Sequence, residues 1–174
     1  MLLVKGKHIS FFTVEVTDAQ FILDLRLNEK KNKFMARVDN DLQKQIDWLI
    51  SYKLREAENK EYYFKAVDKN NNNLGVARIY DFIDDSFYCG SWMSIEGCPI
   101  YAAIEAIILL YEYAFYKLGF NKARFGVRKG SDNVIAFHKR FGAKIVGEDD
   151  DNYYFNFKKE DYELIKIKYS TYLP

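Results

Sequence analysis

Residues that bind metals or form cross-links are scarce in this chain. It has two histidines and two cysteines in 174 residues. Neither Cys89 nor Cys98 belongs to a metal-spacing motif, so no zinc or other metal site is expected. The opening residues lack a signal-peptide pattern, so the cysteines are expected as free thiols in a reducing, cytoplasmic setting. An excess of one charge is also missing. Lys and Arg total 26 against 25 Asp and Glu, a formal net charge of +1. That balance gives no basic surface for nucleic acid. The longest apolar run, Ala102 to Leu110, is broken by Glu105 and is too short to span a membrane. There are no repeats, low-complexity tracts or linkers, so a single domain over residues 1–174 is expected.

Bulk hydrophobicity and aromatic residues are plentiful. Hydrophobic residues make up 49% and charged ones 29%, the composition of a globular domain large enough for a substantial core. Tyr and Phe number 14 each, and aromatics total 17%. Most are expected in core and strands, and the surplus suits a pocket for a planar or sugar-like ligand.

Periodicity divides the chain. Ile9 to Val16 reads as a strand, and Thr17-Asp18 offers a helix cap before AQFILDLRLN. Lys30 to Lys33 makes a polar break. Asp39-Asn40-Asp41 caps a second helix whose Leu42, Ile46, Leu49, Ile50 and Leu54 recur at helical spacing. Tyr62 to Asp68, Gly75 to Ile83 and Ser86 to Ser94 form an antiparallel meander, with turns at Asn70–Asn73 and Asp84-Asp85. Ile100 to Leu118 is a long helix with Ile100, Ile104, Ile107, Tyr111, Ala114 and Leu118 on one stripe, stopped by Gly119. Glu105 falls on the opposite, solvated face. Lys122 to Val127 is a strand and Asp132 to Phe141 a short helix closed by Gly142. Ala143 to Gly147 and Asn152 to Phe157 pair around an acidic turn, and Lys158 to Tyr169 adds a last helix with Tyr162, Ile165 and Tyr169 on one side. The result is an α+β (mixed α/β) fold.

One part of this plan suggests chemistry. Between Gly90 and Gly142 a strand runs into a loop, and the loop opens the long helix. First-turn N–H groups lack internal partners and carry the positive end of the helix dipole, which favours an anion. The order of elements, with the YAFYKLGF and FHKRFGA phrases, resembles the second half of a GNAT acetyltransferase domain. The resemblance implies a central, mostly antiparallel twisted sheet of about seven strands flanked by four to five helices. It also implies acetyl-CoA as co-substrate, its pyrophosphate held by the loop before the long helix.

Carried over residue by residue, the family's loop pattern, Gln/Arg-x-x-Gly-x-Gly/Ala, matches Cys98, Tyr101 and Ala103. Only Ala103 fits; Cys98 replaces the Gln/Arg and Tyr101 the first glycine. Ile100 and Ala102 complete the cofactor-binding turn. Met93, Ser94 and Ile95 occupy the splayed strand end whose backbone pairs with the pantetheine arm, a form of strand addition. The segment SDNVIAFHKRFGA resembles the family's Asn-x-x-Ala-x-x-x-Tyr. Ser131 takes the asparagine position, with Asn133 two residues on as a substitute, and Phe137 precedes His138. His138 stands where the family has a tyrosine general acid. As an imidazolium it would reprotonate the departing thiolate near neutral pH, since free histidine titrates around 6.5. A half-exposed helix histidine is the alternative. His8 receives no role.

An attacking amine must shed a proton, and Asp81 in RIYDF and Glu96 in the loop are the candidate bases. Arg78 and Tyr80 share Asp81's strand, and with Trp48 on the second helix they are the candidate acceptor-binding residues. An internal ion pair at Arg78 and Asp81, and a core role for Trp48, remain open. The WLISYKLREAENKEYYFKAVD stretch, the GVARIYDF strand and the GSW before the loop look similar to N-acetyltransferases acting on nucleotide-linked amino sugars for bacterial surface polysaccharides. The implied activity is acetyl transfer to a primary amine by direct attack. The alternatives are an acetyltransferase of protein N-termini or small-molecule amines, and a non-catalytic binding domain with a degenerate CoA loop. Dimerisation is expected on base rate alone.

Overall fold

A computed structural model describes residues 1–28, 38–90 and 92–173. The polar break at Lys30 to Lys33 lies outside the described residues, as does residue 91. The strands are β1 (Leu2–Lys5), β2 (Ile9–Thr13), β3 (Tyr62–Asp68), β4 (Asn73–Ile83), β5 (Ser86–Cys89), β6 (Met93–Ser94), β7 (Lys122–Arg128), β8 (Lys144–Glu148) and β9 (Asn152–Lys158). The helices are α1 (Ala19–Leu27), α2 (Leu42–Ala57), α3 (Ile100–Glu112), α4 (Asp132–Phe141) and α5 (Lys159–Lys166). They flank one sheet with the order β1-β2-β3-β4-β5-β7-β9-β8, and β6 pairs off this path with β4. Every pairing is antiparallel except β5 with β7.

The sheet has nine strands among the described residues, against about seven expected, for two reasons. The N-terminal residues fold back as β1 along β2. The single strand expected over Ser86 to Ser94 is split into β5 and β6. The strand expected to reach Val16 ends at Thr13, because Glu15 opens a short 3-10 turn at Val16–Asp18. Asp18 does not cap α1 through its side chain; it accepts from the Glu15 amide at 2.9 Å and from Lys65 Nζ at 2.5 Å. Asp41 does cap α2, accepting from the Lys44 amide at 3.1 Å. The long helix ends in one wide π turn over Tyr113–Lys117. Gly119 follows at φ +83, a left-handed conformation that suits glycine.

Two cores sandwich the sheet. The larger lies under α3, α4 and α5 and is built from aromatics, with Phe87, Tyr111, Phe115, Phe141, Phe157 and Tyr162 all nearly or fully buried. The smaller lies under α1 and α2 around Ile22, Leu49, Tyr52 and Tyr63. The α2 stripe is rotated from the expected one. Gln45, Leu49 and Tyr52 are the buried residues, while Ile50 is 49% and Leu54 67% exposed.

The α3 stripe is rotated too: Ala102, Ala106, Ile108 and Leu109 are buried, whereas Ile100 is exposed and Ile104 and Ile107 are half-buried. Glu105, expected in solvent, is completely buried. Its carboxylate accepts from the His8 amide at 2.8 Å and the Ile9 amide at 3.1 Å, and pairs with His8 Nδ1 at 2.8 Å. A buried carboxylate persists where donors satisfy its lone pairs, and the β1–β2 turn supplies them here.

Candidate active site

The site begins where two parallel strands part. β5 pairs with β7 from Ser86↔Lys122 to Tyr88↔Arg124. Beyond that the chain after β5 stays with β4. The Gly90 amide donates to the Arg78 carbonyl at 2.7 Å, Met93 and Ser94 pair with Val76 and Gly75, and the Ile95 amide reaches the Leu74 carbonyl at 3.0 Å. β7 meanwhile stays with β9 as far as Arg128↔Asn152. A gap therefore opens between the two C-terminal strand ends, and the loops leaving it lead into α3 and α4. In open sheets with parallel strands, such a divergence is where ligands enter.

The expected cofactor residues cluster on one lip of this gap. Met93, Ser94 and Ile95 form the strand end, and residues 95–98 make a turn in which the Cys98 amide donates to the Ile95 carbonyl at 3.3 Å. Gly97 there has φ +75, so a glycine is needed in that turn. Pro99 occupies the cap position of α3 and no side chain caps the helix, which leaves first-turn amides at Ile100 and Tyr101 facing outward. Ile100 and Tyr101 are exposed, whereas Ala102 is buried, with its amide bonded to the Pro99 carbonyl at 3.0 Å. Tyr101 also lies against His8, ring centroids 5.0 Å apart.

On the other lip, Ser131 opens α4 through its carbonyl, which accepts from Val134 and Ile135 at 3.0 Å each, and Asn133 is exposed. Gly142 closes α4 in the left-handed region at φ +103. His138 projects toward β7 and sits in an aromatic box, its ring 4.4 Å from Phe125 and 5.4 Å from Phe137 between centroids. Its Nδ1 is buried, with no hydrogen-bond partner among the described residues. Burial pushes its pKa down to about 4. Against the expected imidazolium, this environment favours the neutral ring, because the aromatic box solvates a cation poorly.

The remaining candidates lie on the opposite face of the sheet, beside α2. The buried carboxylate of Glu61 joins two arginines there. Arg55 Nε donates at 2.6 Å and Arg78 Nε at 2.9 Å. The Arg78 guanidinium lies 5.0 Å from the Trp48 ring and 4.3 Å from the Tyr80 ring. Trp48 stacks on Tyr52 at 6.0 Å. Arg78 therefore pairs with Glu61, a partner sequence reasoning missed, and Asp81 pairs with Arg124 at 3.1 Å. Asp81 has φ +51 at the irregularity between Tyr80 and Ile83, which turns its carboxylate to the rim. Glu96 lies in the turn between β6 and α3, on the lip that carries Met93 to Ile95.

Cys89 and Cys98 are free thiols, and burial raises Cys89 to about 12, which keeps it protonated and inert. Among the described residues no group of three acidic, histidine or cysteine side chains is placed to hold a metal, and no helix is long and apolar enough to cross a membrane.

No family model and no curated protein matches the chain. Solved structures do. FdhC, described as a nucleotide-linked sugar GNAT in its apo form, is 38% identical over 98% of both chains, with a TM-score of 0.90. The spermidine N-acetyltransferase SpeG of Vibrio cholerae, in complex with CoA and spermine, aligns at TM-score 0.75 over 90% of this chain and 98% of its own. At 16% identity that second likeness is one of fold.

Proposed function

The chain belongs to the GNAT family of acyltransferases, and on that footing we propose that it moves an acetyl group from acetyl-CoA to the primary amine of a nucleotide-linked amino sugar. The observation that carries the acceptor class is the arginine–aromatic face beside the strand gap. Arg55, Arg78 and Arg124 supply cations there, and Trp48 and Tyr80 supply flat rings around the Arg78 guanidinium. A nucleotide diphosphate needs arginine or lysine for its phosphates and a flat surface for its base. A polyamine or peptide amine would need an acidic groove instead, and here three arginines, Arg55, Arg78 and Arg124, face only two carboxylates, Glu61 and Asp81.

Acetyl-CoA supplies an activated thioester. The outward amides of the first α3 turn suit its pyrophosphate, the strand end at Met93 to Ile95 suits its amide-bearing arm, and His138, with its orphaned Nδ1, faces β7 from α4. Cys98 and Tyr101 stand where the family carries Gln/Arg and Gly, so backbone rather than side chain does the holding. Phe137 and Ser131 set α4 against the gap. Asp81, on the acceptor face, takes the proton the amine must lose.

Thiol release in the presence of acetyl-CoA tests this directly. The expected order is a nucleotide-linked amino sugar well above the free amino sugar and above spermidine. Arg78→Ala and Trp48→Ala should each raise the acceptor KM roughly tenfold, as loss of about 1.4 kcal/mol of binding implies, with the acetyl-CoA KM unchanged. Preference for spermidine would move the chain to the polyamine class.

A further inference from the structure

One side chain bridges the strand gap. Tyr88 is the last β5 residue paired with β7. Its hydroxyl reaches beyond that pair and lies against the Gly126 backbone. A Cβ built on Gly126 would stand 3.0 Å from the hydroxyl oxygen, so glycine at this position lets the phenol lie closest to β7. The ring is held from both sides, by Tyr80 with centroids 5.2 Å apart and by the Arg124 guanidinium 6.0 Å from its centre. Arg124 is fixed in turn by Ser86 Oγ at 3.0 Å and the Asp81 carboxylate at 3.1 Å. A phenol has its own O–H to give. Burial raises its pKa, so the proton is present throughout the neutral range. His138, on the other side of β7, sits neutral among Phe125, Phe137 and Phe155.

We propose that Tyr88 Oη, rather than His138, gives the proton to the sulfur that leaves when the acetyl group is transferred. The proposal rests on the acetyl-transfer function above. The amine nitrogen bonds to the acetyl carbon, the carbon–sulfur bond breaks, and its electron pair stays on sulfur. Tyr88 Oη protonates that sulfur. The nitrogen loses a proton to Asp81 and thence to water, and water restores the Tyr88 phenol. One amine and one thioester become one amide and one thiol.

The test uses the full chain with Tyr88→Phe, which removes only the hydroxyl, and Gly126→Ala, which keeps the phenol and forces its hydroxyl off β7 by a few tenths of an ångström. Both should lower kcat roughly a hundredfold, a larger loss than His138→Gln gives, with calorimetric acetyl-CoA binding retained. A second readout does not depend on turnover. The thiol of bound CoA, followed by thiolate ultraviolet absorbance, should titrate about one pH unit lower on the wild type than on Tyr88→Phe, because the phenol donates to the thiolate. If the wild type turns over and Tyr88→Phe changes neither kcat nor the thiol titration, the proposal is overturned and the phenol merely fills the gap. If Tyr88→Phe loses acetyl-CoA binding, the hydroxyl is a binding contact and the proposal is again overturned. A wild type that binds CoA with an unshifted thiol and transfers no acetyl group would overturn the reaction assignment as well.

Discussion

Two ionisable residues, the half-buried His138 and the buried Glu105, show what a residue's neighbours do to its chemistry. His138 is pressed down to about 4 by burial alone, against an ordinary value near 6.5. Between those values the unfolded chain binds a proton that the folded chain refuses. Stability is therefore full above about pH 6.5, is lost progressively as pH falls toward about 4, and is level below that. His138→Phe should remove this slope. The gap between wild type and variant in urea melts is expected to change by on the order of 2 kcal/mol between pH 7 and pH 4, and parallel pH profiles would contradict the burial. Glu105 is the opposite case, a buried carboxylate held by donors from His8 and Ile9. Glu105→Ala orphans those donors and should cost about 3 kcal/mol, a drop in Tm of roughly 6–12 °C. Neither environment is legible in the sequence. Glu105 and His8 are 97 positions apart, and helical spacing cannot report a partner that arrives from another element. The sequence does place His138 on a helix facing the gap; its protonation state depends on Phe125 and Phe155, which only the packed sheet brings to it.

At the scale of elements, helix existence was legible and helix phase was not. Asp41 and Gly142 mark helix ends through local chemistry, a side-chain cap and a left-handed stop, and both act as read. The apolar residues of α2 cover two faces, so spacing alone leaves its rotation open. Contact with β3 decides it, turning Tyr52 inward, where its hydroxyl accepts from the Tyr63 amide at 2.9 Å, and leaving Leu54 outside. Leu54→Gln should accordingly change stability by no more than about 0.5 kcal/mol, whereas Leu49→Ala, at a fully buried position, should cost about 3 kcal/mol. Thermal melts of the pair distinguish the observed helix rotation from the expected one. The division of β5 from β6 could not be read either, because it lies in the pairing: the bond to β7 stops after Tyr88 while β4 is kept as partner by both strands. That change is what opens the gap.

For the whole molecule, the order of elements carried the fold. A meander, a long helix, a parallel strand and a closing pair place α3 and α4 at the same end of the sheet, and the likeness to FdhC extends over 98% of the chain. The acceptor class was less visible, since Trp48 and Arg78 are 30 positions apart and their contact, with Glu61 buried beneath, exists only in the assembled sheet. The central claim is that this sheet takes up acetyl-CoA at the gap although Cys98 and Tyr101 depart from the family's loop. Calorimetric titration of the protein with acetyl-CoA tests it most directly, with CoA alone as the comparison. The account predicts saturable binding at one site per chain. Absence of binding up to about millimolar concentration, where interactions supply only about −4 kcal/mol, would contradict it and leave a GNAT fold serving as a binding domain.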